Sequence, residues 1–102
     1  MEIKIEWSEL STKQLNDIYY YYSHKANPRI AKKIVNKIIE RVGVLLNNPL
    51  SGTKEELLND MPEDFRYLVE SNYKIIYWLE NETITIASVF DCRLNPEKIK
   101  KL

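Results

Sequence analysis

Residues 28–47 constrain the fold more than any other stretch of this chain. Ile30, Ile34, Ile38, Val42 and Leu45 recur with Ala31, Val35 and Leu46 at three- and four-residue spacing, which sets them on one wide helical face. Asn27 offers a capping oxygen, Pro28 suits the first helical position, and Asn47-Asn48-Pro49 stops the run. The spacing predicts a helix over 28–47 whose apolar face must be buried by the rest of the chain.

A second amphipathic helix is predicted over 11–25, with the stripe Leu15, Ile18, Tyr19, Tyr22 and Ala26. Ser11 stands three residues before Gln14, as in a capping box, although Ser8 could cap one turn earlier. Two helices joined by so short a link form an antiparallel hairpin. Its apolar face needs a sheet, and the sequence supplies one. Residues 2–7 alternate, with Ile3, Ile5 and Trp7 against Glu2, Lys4 and Glu6. Residues 65–69, 73–79 and 83–90 are rich in aromatic and β-branched residues and are separated by Glu70-Ser71-Asn72 and Glu80-Asn81-Glu82, so they read as consecutive hairpin strands. Residues 49–64 hold Pro49, Gly52 and Pro62 with five acids, a loop with a helical turn at Glu55 to Asn59. The expected fold is α+β, β-α-α-β-β-β, with the helix hairpin on one face of a mainly antiparallel sheet. The place of the first strand in the sheet order stays open. The other face should be partly open, leaving some of Tyr67, Tyr73, Tyr77 and Trp78 near the surface as a docking site.

With 102 residues there is room for one core, so a single domain over 1–102 is expected. Apolar residues make up 44%, too many for a disordered tail. The longest apolar runs are far short of the roughly 20 residues a membrane span needs, and the alternating N-terminus does not read as a secretory signal. Cys92 is the only cysteine and His24 the only histidine, so no disulfide and no cysteine- or histidine-based metal site is expected. No cofactor is expected, and a reducing cytoplasm is the default compartment.

The order of elements and several local motifs resemble the RelE/ParE superfamily of type II toxin–antitoxin toxins. The residues that carry the likeness are Asp17-Ile18-Tyr19-Tyr20-Tyr21-Tyr22, Asn48-Pro49-Leu50-Ser51-Gly52, Arg66-Tyr67-Leu68-Val69, Tyr73-Lys74-Ile75-Ile76-Tyr77 and Val89-Phe90-Asp91-Cys92-Arg93-Leu94-Asn95-Pro96. The resemblance implies a growth-arresting toxin neutralised by a cognate antitoxin protein. Its target would be DNA gyrase in the ParE-like branch, or the ribosome in the RelE-like branch, whose members cut mRNA.

Metal-free RNA cleavage needs a base, an acid and cations on the phosphate. Arg66 and Arg93 match arginines of the RelE-like nucleases and suit bidentate phosphate contact. Each also has a structural reading: Arg66 paired with Glu63 or Asp64, Arg93 capping the end of the last strand. The tyrosine or histidine that the nuclease branch places at the end of that strand is missing between Asp91 and Ile99. Lys54, Glu55, Glu56 and Asp91 are the available substitutes. Fifteen basic residues balance fifteen acidic ones, unlike most proteins that grip many phosphates. These features favour a ParE-like, non-nuclease toxin, with the RelE-like nuclease as the alternative and a degenerate toxin as a third reading.

Basic residues do cluster, with Arg29, Lys32, Lys33, Lys37 and Arg41 on the second helix and Arg93, Lys98, Lys100 and Lys101 at the C-terminus. They form either a solvated helix face or the surface that meets an acidic antitoxin. The expected partner-binding residues are Lys32, Lys33, Lys37, Tyr73 and Tyr77. His24 reads as a helix-end residue, Cys92 as a small semi-buried side chain, and the tyrosine run as core plus rim.

Overall fold

The computed structural model describes residues 2–93. Strand β1 (Lys4–Trp7) leads into helix α1 (Glu9–Lys25) and helix α2 (Pro28–Gly43), followed by strands β2 (Thr53–Lys54), β3 (Arg66–Glu70), β4 (Tyr73–Glu80) and β5 (Thr83–Asp91). The strands form one sheet in the order β1-β5-β4-β3-β2. β1 runs parallel to β5, and the other neighbours are antiparallel. The α+β fold with a helix hairpin on the sheet is therefore the one expected, with one strand more. Thr53 and Lys54 pair with Tyr67 and Arg66 inside the segment read as loop. A two-residue strand carries no period to read. The helical turn beside it is a 3₁₀ turn at Glu56–Leu58.

Both helices start where a side chain can cap them. Asn27 Oδ1 accepts from the Ile30 amide at 2.9 Å, as expected. In α1 the cap is Ser8, not Ser11: Ser8 Oγ accepts from the Ser11 amide at 3.0 Å, and Ser11 is fully buried in the first turn. Ser8 is fixed there because its amide donates to Ile86 O and its hydroxyl to Ala87 O, which tie the end of β1 to β5. α2 ends at Gly43, earlier than expected, and tightens into a 3₁₀ turn at Val44–Leu46.

Ile38, Val42 and Leu45 reach the sheet face formed by Leu68, Tyr73, Ile75, Tyr77, Ile84, Ile86 and Val89, with Ile3, Ile5 and Trp7 at its edge. The opposite face carries a second, smaller cluster of Leu58, Phe65, Ile76 and Ala87, flanked by Leu57, Tyr67, Trp78 and Phe90. The 49–64 segment thus covers part of the face expected to be open. β5 carries a bulge: Ile76 faces Ser88 while Tyr77 faces Ile86, so Ala87 is extra. Beyond the end of β1, Gln14 of α1 takes over the exposed edge of β5, its Oε1 accepting from the Val89 amide at 2.6 Å.

Candidate functional site

Arg66 sits on β3 at the mouth of the 49–64 segment, half-buried. Its Nη1 donates to Leu50 O at 3.2 Å and Gly52 O at 3.1 Å, and its Nε donates to Asp64 Oδ2 at 3.1 Å. Lys54, opposite Arg66 in the β2–β3 register, lies 3.9 Å from the other Asp64 oxygen. The structure therefore brings Lys54 and Arg66 together, but around a carboxylate of their own chain. Under this loop the Tyr77 hydroxyl accepts from the Gly52 amide at 2.9 Å.

Arg93 lies at the other end of the sheet. Its Nε and Nη2 grip Asp91, and the Arg93 hydrogen bond holds the Asp91 carboxyl below its ordinary value. Arg66 is level with Tyr77, whereas Asp91 is level with Tyr73, four residues along β4. At about 3.3 Å per residue, with two strand spacings between, the two arginines stand roughly 15–20 Å apart. They do not converge on one phosphate. Glu56 is exposed at the start of its 3₁₀ turn, and among the described residues it makes no ion pair. Glu55, the third acid considered as a base, is only 3% exposed and lies 2.5 Å from the Lys74 ammonium.

Between α1 and the end of β5 lies a cleft of about 440 Å³, lined among others by Asp17, Tyr21, Tyr22, Tyr73, Phe90 and Arg93. The Tyr73 hydroxyl donates to Tyr22 Oη at 3.4 Å in its wall. Burial first, then the bond to Tyr22, push the Tyr73 phenol far above its ordinary value, so it keeps its proton and is a poor acid or base near neutrality. The sequence showed the tyrosines but not the cleft. Gln14, Ile18 and Tyr21 do repeat at four- and three-residue spacing, which is the one local sign of this wall.

The raised phenol has a consequence for stability. A group protonated more tightly in the folded state leaves stability intact below the unfolded value near 10 and removes it as pH rises toward the folded value. Tyr77, also raised by burial, adds to the same trend. Denaturant midpoints are expected to hold up to about pH 10 and then fall. The fall should be shallower in Tyr73→Phe, measured against the same variant at pH 7.

Two expected partner residues are corrected by burial. Tyr77 has no exposed area and Tyr73 only 9%, because both point to the helix side of the sheet. Lys32, Lys33 and Lys37 are exposed on α2, with Lys32, Lys33 and Lys37 lining a shallow depression of about 420 Å³ together with Arg29, Asn36 and Glu40. Arg41 leaves this group, its Nε pointing to Val69 O at 3.4 Å. The tail lysines Lys98, Lys100 and Lys101 lie outside the described residues. Cys92 is exposed rather than semi-buried, since it falls in the turn after β5. His24 Nδ1 donates to the Tyr20 carbonyl one turn back, as suits a helix-end residue.

Among the described residues no three His, Cys, Asp or Glu side chains gather as a metal site requires, and no helix is long and apolar enough to cross a membrane. A helix hairpin on one face of a mainly antiparallel sheet, with the first strand parallel at its edge, is the RelE/ParE-like fold. Within it the chain belongs to the ParE family: the model described as ParE toxin of type II toxin-antitoxin system, parDE, matches residues 5–95. The fold is similar to that in the chromosomal ParDE TA system from P. aeruginosa, at 21% identity and a TM-score of 0.74 over 88% of this chain and 96% of that one. It is also similar to the YoeB dimer from Staphylococcus aureus, at 22% identity and TM-score 0.57 over 86% and 94% of the two chains. The toxin–antitoxin complex RelBE2 from Mycobacterium tuberculosis aligns at 20% identity and TM-score 0.52 over 89% and 99%. No curated protein matches the chain in sequence.

Proposed function

We propose that this chain is the toxin of a bacterial type II module, as in plasmid stabilisation systems, and arrests growth in the cytoplasm by binding an essential protein such as DNA gyrase. A cognate antitoxin neutralises it. The observation that carries this reading over mRNA cleavage is that Arg66 and Arg93 are each held by an acid of their own chain, at opposite ends of the sheet. Nuclease chemistry needs both cations and an acid–base pair at one phosphate. Tyr73, which lines the same cleft as Arg93, is held protonated by burial. Purified protein is expected to inhibit gyrase supercoiling while leaving mRNA uncut by primer extension from expressing cells. Uninhibited gyrase together with cuts at the ribosomal A site, lost in Arg66→Ala and Arg93→Ala, would instead establish the RelE-like branch.

The antitoxin surface in this reading is the outer face of α2, where Lys32, Lys33 and Lys37 are exposed, with the exposed side chains of Ile30 on one flank of the helix and Ile39 on the other. An acidic segment that orders on binding would meet the lysines by charge and cover the isoleucines by area. Reversing all three lysines to Glu is expected to slow association by about tenfold at low salt, with an effect that shrinks as salt rises. Unchanged association rates across the salt series would leave these lysines as a solvated helix surface.

A further inference from the structure

β1 is the outer strand of the sheet, and its outward side is open. The Lys4 amide donates to Glu82 O and the Ser8 amide to Ile86 O, so the even-numbered residues are bonded inward to β5. Successive backbone groups alternate in direction, so Ile3, Ile5 and Trp7 aim their N–H and C=O groups away from the sheet. Among the described residues nothing bonds to them. Their side chains lie on the helix side, half-buried against the core, while Glu2, Lys4 and Glu6 are exposed on the opposite side.

We propose that this edge pairs with itself: two copies of the chain join antiparallel through β1, about a twofold axis at Ile5. The charges select the register. With Ile5 opposite the partner's Ile5, Lys4 stands opposite the partner's Glu6, twice by symmetry, in the wide positions where side chains approach most closely. Ile3 then faces the partner's Trp7 and extends the helix-side core across the seam. Slipping by two residues in one direction in the symmetric sum sets Lys4 against the partner's Lys4 and Glu2 against the partner's Glu6. Slipping the other way sets Glu6 against the partner's Glu6. Like charges directly opposite destabilise a pair. A register centred on Ile3 also matches charges but leaves Trp7 unpaired.

Lysine on an edge strand commonly blocks pairing. Here a glutamate on either side makes the same lysine complementary in two registers, and only the one centred on Ile5 also pairs Trp7. Five residues per strand bury much less than the roughly 800 Å² per partner of a standard interface, so the dimer forms only at high concentration, on the order of 100 µM. The pairing stands whatever the toxin's target is.

Sedimentation equilibrium of the full chain from low micromolar to millimolar concentration, at low salt, tests the pairing. The chain should pass from monomer to dimer. Lys4→Glu and Glu6→Lys should each weaken dimerisation at least about tenfold, and the double swap Lys4→Glu with Glu6→Lys should restore it. Circular dichroism of each variant establishes that the fold is kept, which exposed substitutions at one edge favour. A chain that stays monomeric throughout, a dimer that neither single change weakens, or a double swap no better than the single variants would each overturn the proposal.

Discussion

Gly52→Ala is expected to destabilise the protein by about 3–5 kcal/mol, the sum of an overpacked core and a lost buried hydrogen bond. A methyl group at Gly52 would lie 2.5 Å from the Tyr77 hydroxyl oxygen, 2.6 Å from Tyr77 Cε1 and 2.9 Å from Tyr67 O. None of these can yield cheaply. The Tyr77 ring is fully buried among the core side chains, and Tyr67 O belongs to the backbone of β3. Moving the loop instead would break the bond from the Gly52 amide to Tyr77 and the grip of Arg66 on Leu50 O and Gly52 O. The glycine is required by close approach, since its φ is not in the positive region. In urea the midpoint should fall with little change of slope. Tyr77→Phe in the same chain should relieve part of the clash, because the hydroxyl goes while Cε1 and Tyr67 O remain. Gly43→Ala is the contrasting control: nothing lies within 4 Å of an added methyl at the end of α2, and a gain of about 0.5–1 kcal/mol is expected.

The same loop bears on how toxicity data are read. Arg66 closes the 50–52 segment onto β3, so an inactive Arg66→Ala variant reports on the fold unless its thermal midpoint is measured beside its activity. The proposed gyrase reading and the nuclease alternative therefore need both numbers for this residue.

The helical period and the caps were legible because they are local. Ala31, Ile38, Val42 and Leu45 are buried as their spacing requires, Ile30 and Leu46 at the two ends of the same expected face stay exposed, and Asn27 caps where it should. The hairpin strands lie within a residue or so of their expected ends, since Ser71, Asn81 and Glu82 adopt the positive φ that tight turns need. What a residue's neighbours in sequence cannot encode is its partner across space. The parallel pairing of β1 with β5 depends on the Ser8 ties to Ile86 and Ala87, residues nearly eighty positions away. The facing of Tyr77 was illegible for a different reason. Tyr73, Ile75 and Tyr77 alternate with Lys74, Ile76 and Trp78, and both rows are largely apolar because both faces of β4 are covered. A period of two with apolar residues on both sides does not say which side meets the helices. Of the site, the two arginines were found from the family motifs, and Asp64 was named as one possible partner of Arg66. The Glu55–Lys74 contact was not, since it joins a loop acid to a central strand.

That ion pair carries the other large expected effect. Glu55 is 3% exposed and Lys74 20%, and the lysine also lies 4.1 Å from the centroid of the Tyr67 ring. The two partners are therefore not equivalent. Lys74→Met would leave the Glu55 carboxylate buried without a counter-charge, its one remaining bond being from the Leu57 amide to Oε1. The expected cost is about 3 kcal/mol. Glu55→Gln would leave an ammonium that can turn toward water and still rest on the Tyr67 ring, for about 1 kcal/mol. In the double variant no buried charge is left unpaired, and Met and Gln fill similar space beside Leu57 and Phe90. Its cost should fall below that of Lys74→Met alone, so the coupling in the double-mutant cycle is large and compensating. Equal single-variant costs that simply add would mean the pair is solvated and contributes little, as surface ion pairs do. The asymmetric, compensating pattern would mean that the acid of the 49–64 segment is locked to β4, and therefore that Glu55 is unavailable as a base in any chemistry this surface performs.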